Sequence, residues 1–161
     1  MPLIGKDKAR AAAMASIDAL EARFAQNVET LCEDIDKHIK SLTPVNTGEA
    51  VRNYIWTIGT PNSTVYKAIE NGPTGPTNSM RLGSEPRRPA NEAAAAESLK
   101  SLNLRANPFG TIYLSNVAQD IVGLELGILP GPPYRSRSPQ GMFGITSQHF
   151  NILVAAQGIL K

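Results

Sequence analysis

Two histidines and one cysteine are the side chains with the widest catalytic chemistry in this sequence. A histidine transfers protons near neutral pH, and a cysteine thiolate attacks carbonyl carbon. His38 and His149 belong to no HExxH or CxxC pattern, so we interpret both as structural or surface residues and not as metal ligands. Cys32 follows Leu31 in a segment with the periodicity of a core helix, which favours a small buried apolar residue over a nucleophile.

Acidic residues cluster a little further on, at Glu29, Glu33, Asp34 and Asp36. Paired carboxylates perform acid–base chemistry when one of them is buried. These four are spread around a predicted helix among polar neighbours, so we interpret them as a solvated face. The functional alternative is that the four acids repel DNA from a surface past which it must slide. The glycine-rich stretch 72–76 reads Gly-Pro-Thr-Gly-Pro and lacks the lysine of a phosphate-binding loop.

Arginines are concentrated in two Pro/Gly-rich segments, 71–90 and 128–137, which we predict to be loops. Guanidinium groups bind phosphates or carboxylates, whereas loop charge can also serve only solubility. Exposed loops with few buried apolar side chains are typical of segments that become ordered when a partner binds. The candidate docking residues are Arg81, Arg87, Arg88, Arg135 and Arg137.

The composition indicates one globular domain over residues 1–161, because 42% of the residues are apolar and 19% are charged. A net charge of +2 is too small for a general nucleic-acid binder. One cysteine forms no internal disulfide, and no run of apolar residues is long enough for a membrane span. Residues 1–5 lack the apolar run of a secretory signal, so we expect the chain to act in a cytosol.

The clearest predicted element is a helix of about 54 Å over residues 7–42. Its apolar positions advance by three or four residues, which is close to the helical period: Ile17, Leu20, Phe24, Val28, Leu31, Ile35, Ile39 and Leu42. A compact chain of this length has a diameter of only about 40 Å. The helix therefore outreaches its own domain, and a neighbouring subunit is the simplest cover for its apolar stripe.

The remaining pattern predicts an α+β fold, with an antiparallel sheet flanked by the long helix, a middle helix and a C-terminal helix. Residues 53–59 and 111–116 read as strands, and 64–69 as a further short strand. The middle helix is predicted at 91–102 with Asn91 as N-cap, and the last helix opens at Ser138 and Pro139. Residues 121–126 fit either a helical turn or a strand.

Two stretches, one from residue 43 to 52 and one from 112 to 142, resemble a family of tail-completion, or minor tail-component, proteins of long-tailed bacteriophages. Residues 43–48 read Thr-Pro-Val-Asn-Thr-Gly, similar to the family's Thr-Pro-Val-Asp-Thr-Gly, and Arg52 with an aromatic-rich strand follows. Residues 112–116 and 124–127 match its Tyr-Leu-Thr/Ser-Asn strand and Leu-Glu-x-Gly turn, and 138–142 match its Ala-Pro-x-Gly-Met helix start. The matching positions are Thr43, Pro44, Thr47, Gly48, Tyr113, Asn116, Glu125, Gly127, Pro139, Gly141 and Met142.

The sequence departs from the family pattern in four places. Asn46 stands for the usual Asp, and Ala50 for a common Leu. Residues 117–121 replace a frequent Asn-Leu-Pro-Tyr-Ala, and 128–137 form a longer loop than usual. These differences bear on which partners the protein would bind more than on how it folds.

The resemblance implies a structural virion protein of the head–tail junction and no enzyme. It implies a ring, of six subunits in the family, between the head-completion or connector proteins and the tail terminator or tail tube. Viral DNA would cross the channel without sequence-specific contacts. It also implies assembly in the host cytoplasm, with no cofactor, metal or membrane.

Two other classes of function stay open at this point. One is a small hydrolase-type enzyme that uses Cys32 or a carboxylate pair, which Cys32→Ser would test. The other is a DNA-binding module that relies on the loop arginines, for which salt-dependent binding would be the evidence.

Overall fold

The computed structural model of the chain describes residues 5–45, 47–70, 87–129 and 141–157. Its largest element is α1 (Lys6–Leu42), a helix of 37 residues, after which the backbone becomes extended at Thr43, just before Pro44. The predicted helix is confirmed. Every residue from 5 to 21 is exposed, and the first buried side chain is Ala25. Among the described residues, only the C-terminal part of α1 therefore packs against other elements.

A second, short helix, α2 (Glu49–Arg52), follows the turn after α1 and leads into a small sheet. The sheet consists of β1 (Ile55–Ile58) and β2 (Ile112–Ser115). The two strands are antiparallel, with Ile55 opposite Ser115 and Ile58 opposite Ile112. Both predicted strands are confirmed in slightly shorter form, and so is the α+β class.

The third predicted strand, 64–69, is wrong, because these residues join no sheet. Two buried asparagine side chains hold this segment instead. Asn53 donates to the Tyr66 carbonyl and accepts from the Tyr66 amide, both at 2.7 Å. Asn91 accepts from the Ile69 amide at 2.8 Å and donates to the Ile69 carbonyl at 3.1 Å. Each amide side chain therefore pairs with backbone as a neighbouring strand would.

The middle helix, α3 (Arg88–Lys100), begins inside the segment 71–90 that we predicted to be a loop. Pro89 lies in its first turn, where a missing backbone N–H leaves no hydrogen bond unmade. The predicted N-cap at Asn91 is also wrong. Asn91 is fully buried within α3, and its side chain donates to the Arg87 carbonyl at 2.8 Å. The rest of the predicted loop, 71–86, lies outside the described residues.

Two further helices complete the fold. The ambiguous segment 121–126 is helical and forms α4 (Ile121–Glu125). The last helix is α5 (Met142–Gln157), which packs along α1. Ser138 and Pro139, where we predicted its start, lie outside the described residues.

Two clusters of buried side chains form the core. One joins α1 to α4 and α5 through Ile39, Tyr54, Leu124 and Met142. The other joins α1 to β1 and α3 through Cys32, Trp56 and Leu99. Burial of each large apolar side chain contributes about 1.5–3 kcal/mol. The C-terminal half of α1 is therefore the support to which the other elements attach.

Candidate functional site

The first motif, 43–48, forms the corner between α1 and α2. The Thr43 hydroxyl lies 2.8 Å from the Ile39 carbonyl and 2.9 Å from the Tyr54 hydroxyl, and it is fully buried. The Thr47 hydroxyl accepts from the Glu49 amide at 3.2 Å. Gly48 has φ = +93°, a conformation that favours glycine. Thr43, Thr47 and Gly48 therefore fix the direction of the chain after α1.

The second motif ties β2 to α2. The Asn116 side chain donates to the Ala50 carbonyl at 2.7 Å and accepts from the Ala118 amide at 3.1 Å. Tyr113 lies opposite Thr57 in the sheet and is half-buried. The strand end at Asn116 is thus anchored to the corner that the first motif forms.

The third motif is a cap on α5. The Glu125 carboxylate accepts from the backbone amides of Met142 at 2.8 Å, Phe143 at 3.0 Å and Gly144 at 3.0 Å. The first amides of a helix have no partner within it, and they favour a negative charge. Glu125 supplies both the acceptors and the charge, from a helix far away in sequence.

Two glycines make this cap possible. Gly127 has φ = +67° and turns the chain directly after α4. Gly141 has φ = +81°, and a Cβ atom there would overlap the Glu125 carboxylate. The Glu125 side chain fills the space that glycine leaves. Three of the matching positions, Glu125, Gly141 and the fully buried Met142, therefore build one structural joint.

The two described arginines of the predicted docking set are not exposed docking residues. Arg87 is buried. Arg88 donates to the Lys40 carbonyl at 2.8 Å, to the Thr43 carbonyl at 2.6 Å and to Glu92 at 2.8 Å. The planar guanidinium satisfies carbonyls at the C-terminus of α1, an end that favours cations. The other candidates, Arg81, Arg135 and Arg137, lie outside the described residues.

The acidic cluster divides into exposed and buried members. Glu33 is exposed and pairs with Lys37 at 3.5 Å. Asp36 is buried, which corrects our interpretation of all four acids as a solvated face. Its carboxylate lies 2.6 Å from the Lys40 ammonium and accepts from the Trp56 indole at 3.0 Å. Asp36, Lys40 and Trp56 therefore satisfy one another's buried polar groups, which offsets the free-energy cost of removing these groups from water.

The geometry around Cys32 does not suit a nucleophile. The side chain is 4% exposed. Burial, and to a smaller extent the charges of Asp36 and Glu29, raises the pKa of the Cys32 thiol to about 12. A thiol with this pKa stays protonated near neutral pH, whereas nucleophilic attack requires the thiolate.

The two histidines, by contrast, meet in space. The His38 and His149 rings lie 5.5 Å apart in an edge-to-face arrangement between α1 and α5. The His38 Nε2 atom is buried without a hydrogen-bond partner. Within the described ranges, no group of three or more His, Cys, Asp or Glu side chains is arranged to hold a metal ion. The sequence spacing gave no indication of this ring contact, because it depends on how α5 packs.

An open groove of about 270 Å³ lies beside the first motif. Its floor is mainly apolar, and its lining includes two acids, Glu49 and Asp120. The motif residues Pro44, Thr47 and Gly48 form one wall. Next to it along the chain, three large apolar side chains are more than 60% exposed: Val122, Leu126 and Ile128.

The other prominent surface is the first half of α1, which we call the overhang and define as residues 6–21. It carries three exposed apolar side chains, Met14, Ile17 and Leu20, of which Leu20 is 66% exposed. Its beginning is basic, with Lys6, Lys8 and Arg10 all exposed around a single Asp7. The overhang and the groove are two places in the described part of the chain where apolar side chains lack cover, and Phe109 and Ile152 are exposed elsewhere.

Comparison with known proteins yields no relative: no family model, curated protein or solved structure matches this chain. Among the helices that the structure describes, none combines the length and the apolar character needed to cross a lipid bilayer.

Proposed function

We propose that this chain is a structural subunit of the head–tail junction of a long-tailed bacteriophage, a tail-completion protein that acts by assembling into a ring. The overhang of α1 is the observation that carries this proposal. It extends about 24 Å beyond the packed body and exposes apolar side chains along its length. Such a helix segment is not stabilised by its own domain, so a neighbouring molecule is the expected source of its cover.

The three motifs that resemble the family support the proposal through their structural roles. They form the corner at Gly48, the strand anchor at Asn116 and the cap at Glu125, and all three attach to the same rigid body. None of them assembles a set of reactive groups. A protein whose characteristic residues maintain its shape is suited to a geometric function.

In the proposed mechanism, each subunit presents one surface to the next around a closed ring, through a heterologous contact repeated by rotation. The connector or head-completion proteins would lie on one side of the ring. The tail terminator or tail tube would lie on the other, with DNA in the channel. The family resemblance suggests six subunits.

The two rival functions have less support. A hydrolase that uses Cys32 would need its thiolate, which burial disfavours. A DNA-binding module that uses Arg87 and Arg88 would need accessible guanidinium groups, but Arg87 is buried and Arg88 donates to the carbonyls of Lys40 in α1 and of Thr43 directly after it.

Light scattering of the purified chain, alone and mixed with the connector and tail-tube proteins of the same phage, tests the proposal. We expect a closed oligomer in at least one condition, and electron micrographs of rings. Omission of the protein from infected cells should leave DNA-filled heads and separate tails. A chain that stays monomeric in every mixture, or normal joining of heads and tails in its absence, would refute the proposal.

A further inference from the structure

The outer edge of β2 carries backbone groups that lack hydrogen-bond partners. Gly59 donates to the Thr111 carbonyl at 2.9 Å, so these two residues form a hydrogen-bonded pair in the register of the sheet. Backbone groups alternate in direction along an antiparallel strand, and those of Ile112 and Leu114 therefore point away from β1. Among the residues that the structure describes, none forms a hydrogen bond with these two amides and two carbonyls.

The two edges of the sheet differ. On the β1 side, the Trp56 amide donates to the Ser98 hydroxyl of α3 at 3.1 Å, so this edge is covered by a helix. On the β2 side, the strand reads Ile-Tyr-Leu-Ser, and all four residues are partly exposed. It contains neither the charges nor the proline that commonly protect an open edge from another strand. An uncharged open edge is a template for β-strand addition.

A second open edge of the same kind lies in the segment 64–67. The backbone groups of Thr64 and Tyr66 pair with asparagine side chains at 2.7–3.2 Å. Val65 and Lys67 alternate with them and are exposed. Their own backbone groups have no hydrogen-bond partner in the described part of the chain. The segment therefore has the composition of a strand and one unpaired edge, although it joins no sheet within its own copy.

The two open edges match in number and spacing. Each offers two N–H and two C=O groups from residues that are two positions apart. In the antiparallel register that sets Val65 opposite Leu114 and Lys67 opposite Ile112, all eight groups pair in four hydrogen bonds. We infer that the segment 64–67 of one copy adds to β2 of a second copy of this chain as the third strand of its sheet. The chain itself supplies both edges, and one copy does not pair them.

The side chains favour the same register. It sets Tyr66 of one copy opposite Tyr113 of the next, and both tyrosines are partly exposed in the single copy. Aromatic side chains that lie directly opposite each other are a favourable cross-strand pair. A third strand also strengthens a two-stranded sheet, which is marginal without such support.

The contact joins different surfaces of two copies, so it is heterologous. Such a contact generates a ring if the rotation closes, and an open filament if it does not. The inference rests on the proposed ring assembly and names a pair of surfaces that would form it. In this arrangement the sheets of neighbouring subunits acquire strands from one another around the ring.

Site-directed disulfide formation tests the register. Cys32, the one cysteine of the chain, is first changed to Ala, and Tyr66→Cys and Tyr113→Cys are then made in separate copies. Opposite residues of this kind have Cα atoms close enough for a disulfide. In the oxidised mixture we expect a linked dimer to form at least about tenfold faster than in the control, which pairs Tyr66→Cys with Thr57→Cys. Thr57 lies opposite Tyr113 on β1, one strand further from the added segment.

Hydrogen exchange tests the backbone pairing without a change at the contact. Exchange is started in the assembled state and read residue by residue by NMR after dissociation. We expect the amides of Val65, Lys67, Ile112 and Leu114 to exchange at least about tenfold more slowly in the oligomer than in the dilute monomer. The Gly59 amide, which is bonded within one copy, is the internal control.

A proline substitution removes one of the open donors. Lys67→Pro deletes an N–H that has no described partner within its own copy, so urea unfolding of the monomer should change little. We expect it to slow the cross-linking between positions 66 and 113 by about tenfold. Lys67→Ala is the matched control, because it removes the charge and keeps the N–H. Equal rates for the two variants would show that this donor takes no part in the contact.

The outcomes separate this inference from the proposed function. Rings whose four amides exchange as fast as in the monomer, without the 66–113 cross-link, would overturn the inference and leave the ring proposal in place. Linkage of Tyr66→Cys copies to each other as fast as in the mixture would also overturn it, because identical segments would then meet. Protection and cross-linking in a protein that heads and tails do not need would support the inference and refute the proposed function.

Discussion

Gly141 lies against Glu125 so closely that a Cβ atom at position 141 would occupy the space of the carboxylate. The same carboxylate holds the first three amides of α5. The position of the last helix thus depends on the absence of one methyl group. We expect Gly141→Ala to destabilise the fold by about 2–4 kcal/mol, through its positive φ and the displaced cap. Urea unfolding would measure this change.

Gly144 provides a matched control for that substitution. It lies in the first turn of the same helix, and a Cβ atom there would be 3.6 Å from the Glu125 carboxylate, an ordinary contact. We expect Gly144→Ala to be neutral or to stabilise the protein by up to about 1 kcal/mol, because alanine favours the helix. Similar losses for both variants would show that the Glu125 cap is not the cause.

The main elements could be predicted because their signals are local. The period of apolar residues in α1, the composition of β1 and the alternation in β2 depend only on residues that are close in sequence. The cap at Glu125 could not be derived in this way. The helix that it caps starts 17 residues later, and no local pattern specifies which distant carboxylate reaches a helix end.

The errors in the prediction share a physical reason. Arg88 and Asp36 were interpreted as surface charges, because charged residues are rarely buried without partners. Their partners, the carbonyls at the end of α1 for Arg88 and the Trp56 indole for Asp36, come from elements that meet only in the folded chain. Residues 64–69 have the composition of a strand, but asparagine side chains occupy the place of a partner strand.

Asn91 offers a direct test of that substitute pairing. Asn91→Ala removes two hydrogen bonds to Ile69 and one to the Arg87 carbonyl. We expect a loss of about 1–3 kcal/mol and faster hydrogen exchange at the Ile69 amide. Asn103→Ala is the control, since Asn103 is exposed and accepts one bond from Ala106. Unchanged exchange at Ile69 would disprove the role that we assign to Asn91.

The buried pair of Asp36 and Lys40 predicts a large effect of removing one partner. Asp36→Ala leaves the ammonium without its carboxylate, and also leaves the Trp56 indole without an acceptor. We expect a loss of about 3–5 kcal/mol, measured by chemical unfolding. Glu33→Ala, which breaks the exposed pair with Lys37, should change stability by less than about 1 kcal/mol.

A double variant separates the charge from the hydrogen bonds at this site. Asp36→Asn with Lys40→Met removes both charges and keeps an acceptor for the indole. We expect it to be more stable than Asp36→Asn alone, because no unpaired ammonium stays buried. If the losses of the single variants simply add, the two side chains do not act as a pair.

Substitutions in the overhang should change assembly without changing the fold. Ile17→Lys and Leu20→Lys alter side chains that are 51% and 66% exposed. We expect their unfolding free energy to stay within about 0.5 kcal/mol of the original, while the oligomer dissociates in light scattering. Ala15→Lys, an exposed position on the opposite face of the same segment, is the control. An intact oligomer in both apolar variants would mean that the stripe makes no subunit contact.

The raised pKa of Cys32 should make the stability of the fold, and the reactivity of this thiol, depend on pH in the alkaline range. Its pKa is raised to about 12 in the folded state from an ordinary value of 9.0, first by burial and then by Asp36 and Glu29. The folded chain therefore binds this proton more tightly than the unfolded chain. The corresponding stability is fully present below about pH 9 and is lost as the pH rises towards 12. Burial also raises the pKa of Tyr54, which adds to the same trend.

Unfolding at several pH values, together with thiol labelling, measures these effects. We expect Cys32→Ala to lose less stability between pH 8 and pH 11 than the original chain, although it is less stable at pH 8 because a buried atom is removed. At pH 8 a disulfide reagent should modify Cys32 only as fast as the chain unfolds. Asp36→Asn should lower the pKa of the thiol, since a negative charge is lost. Rapid labelling of the folded protein at pH 7 would contradict the buried thiol and would return Cys32 to the candidates for a nucleophile.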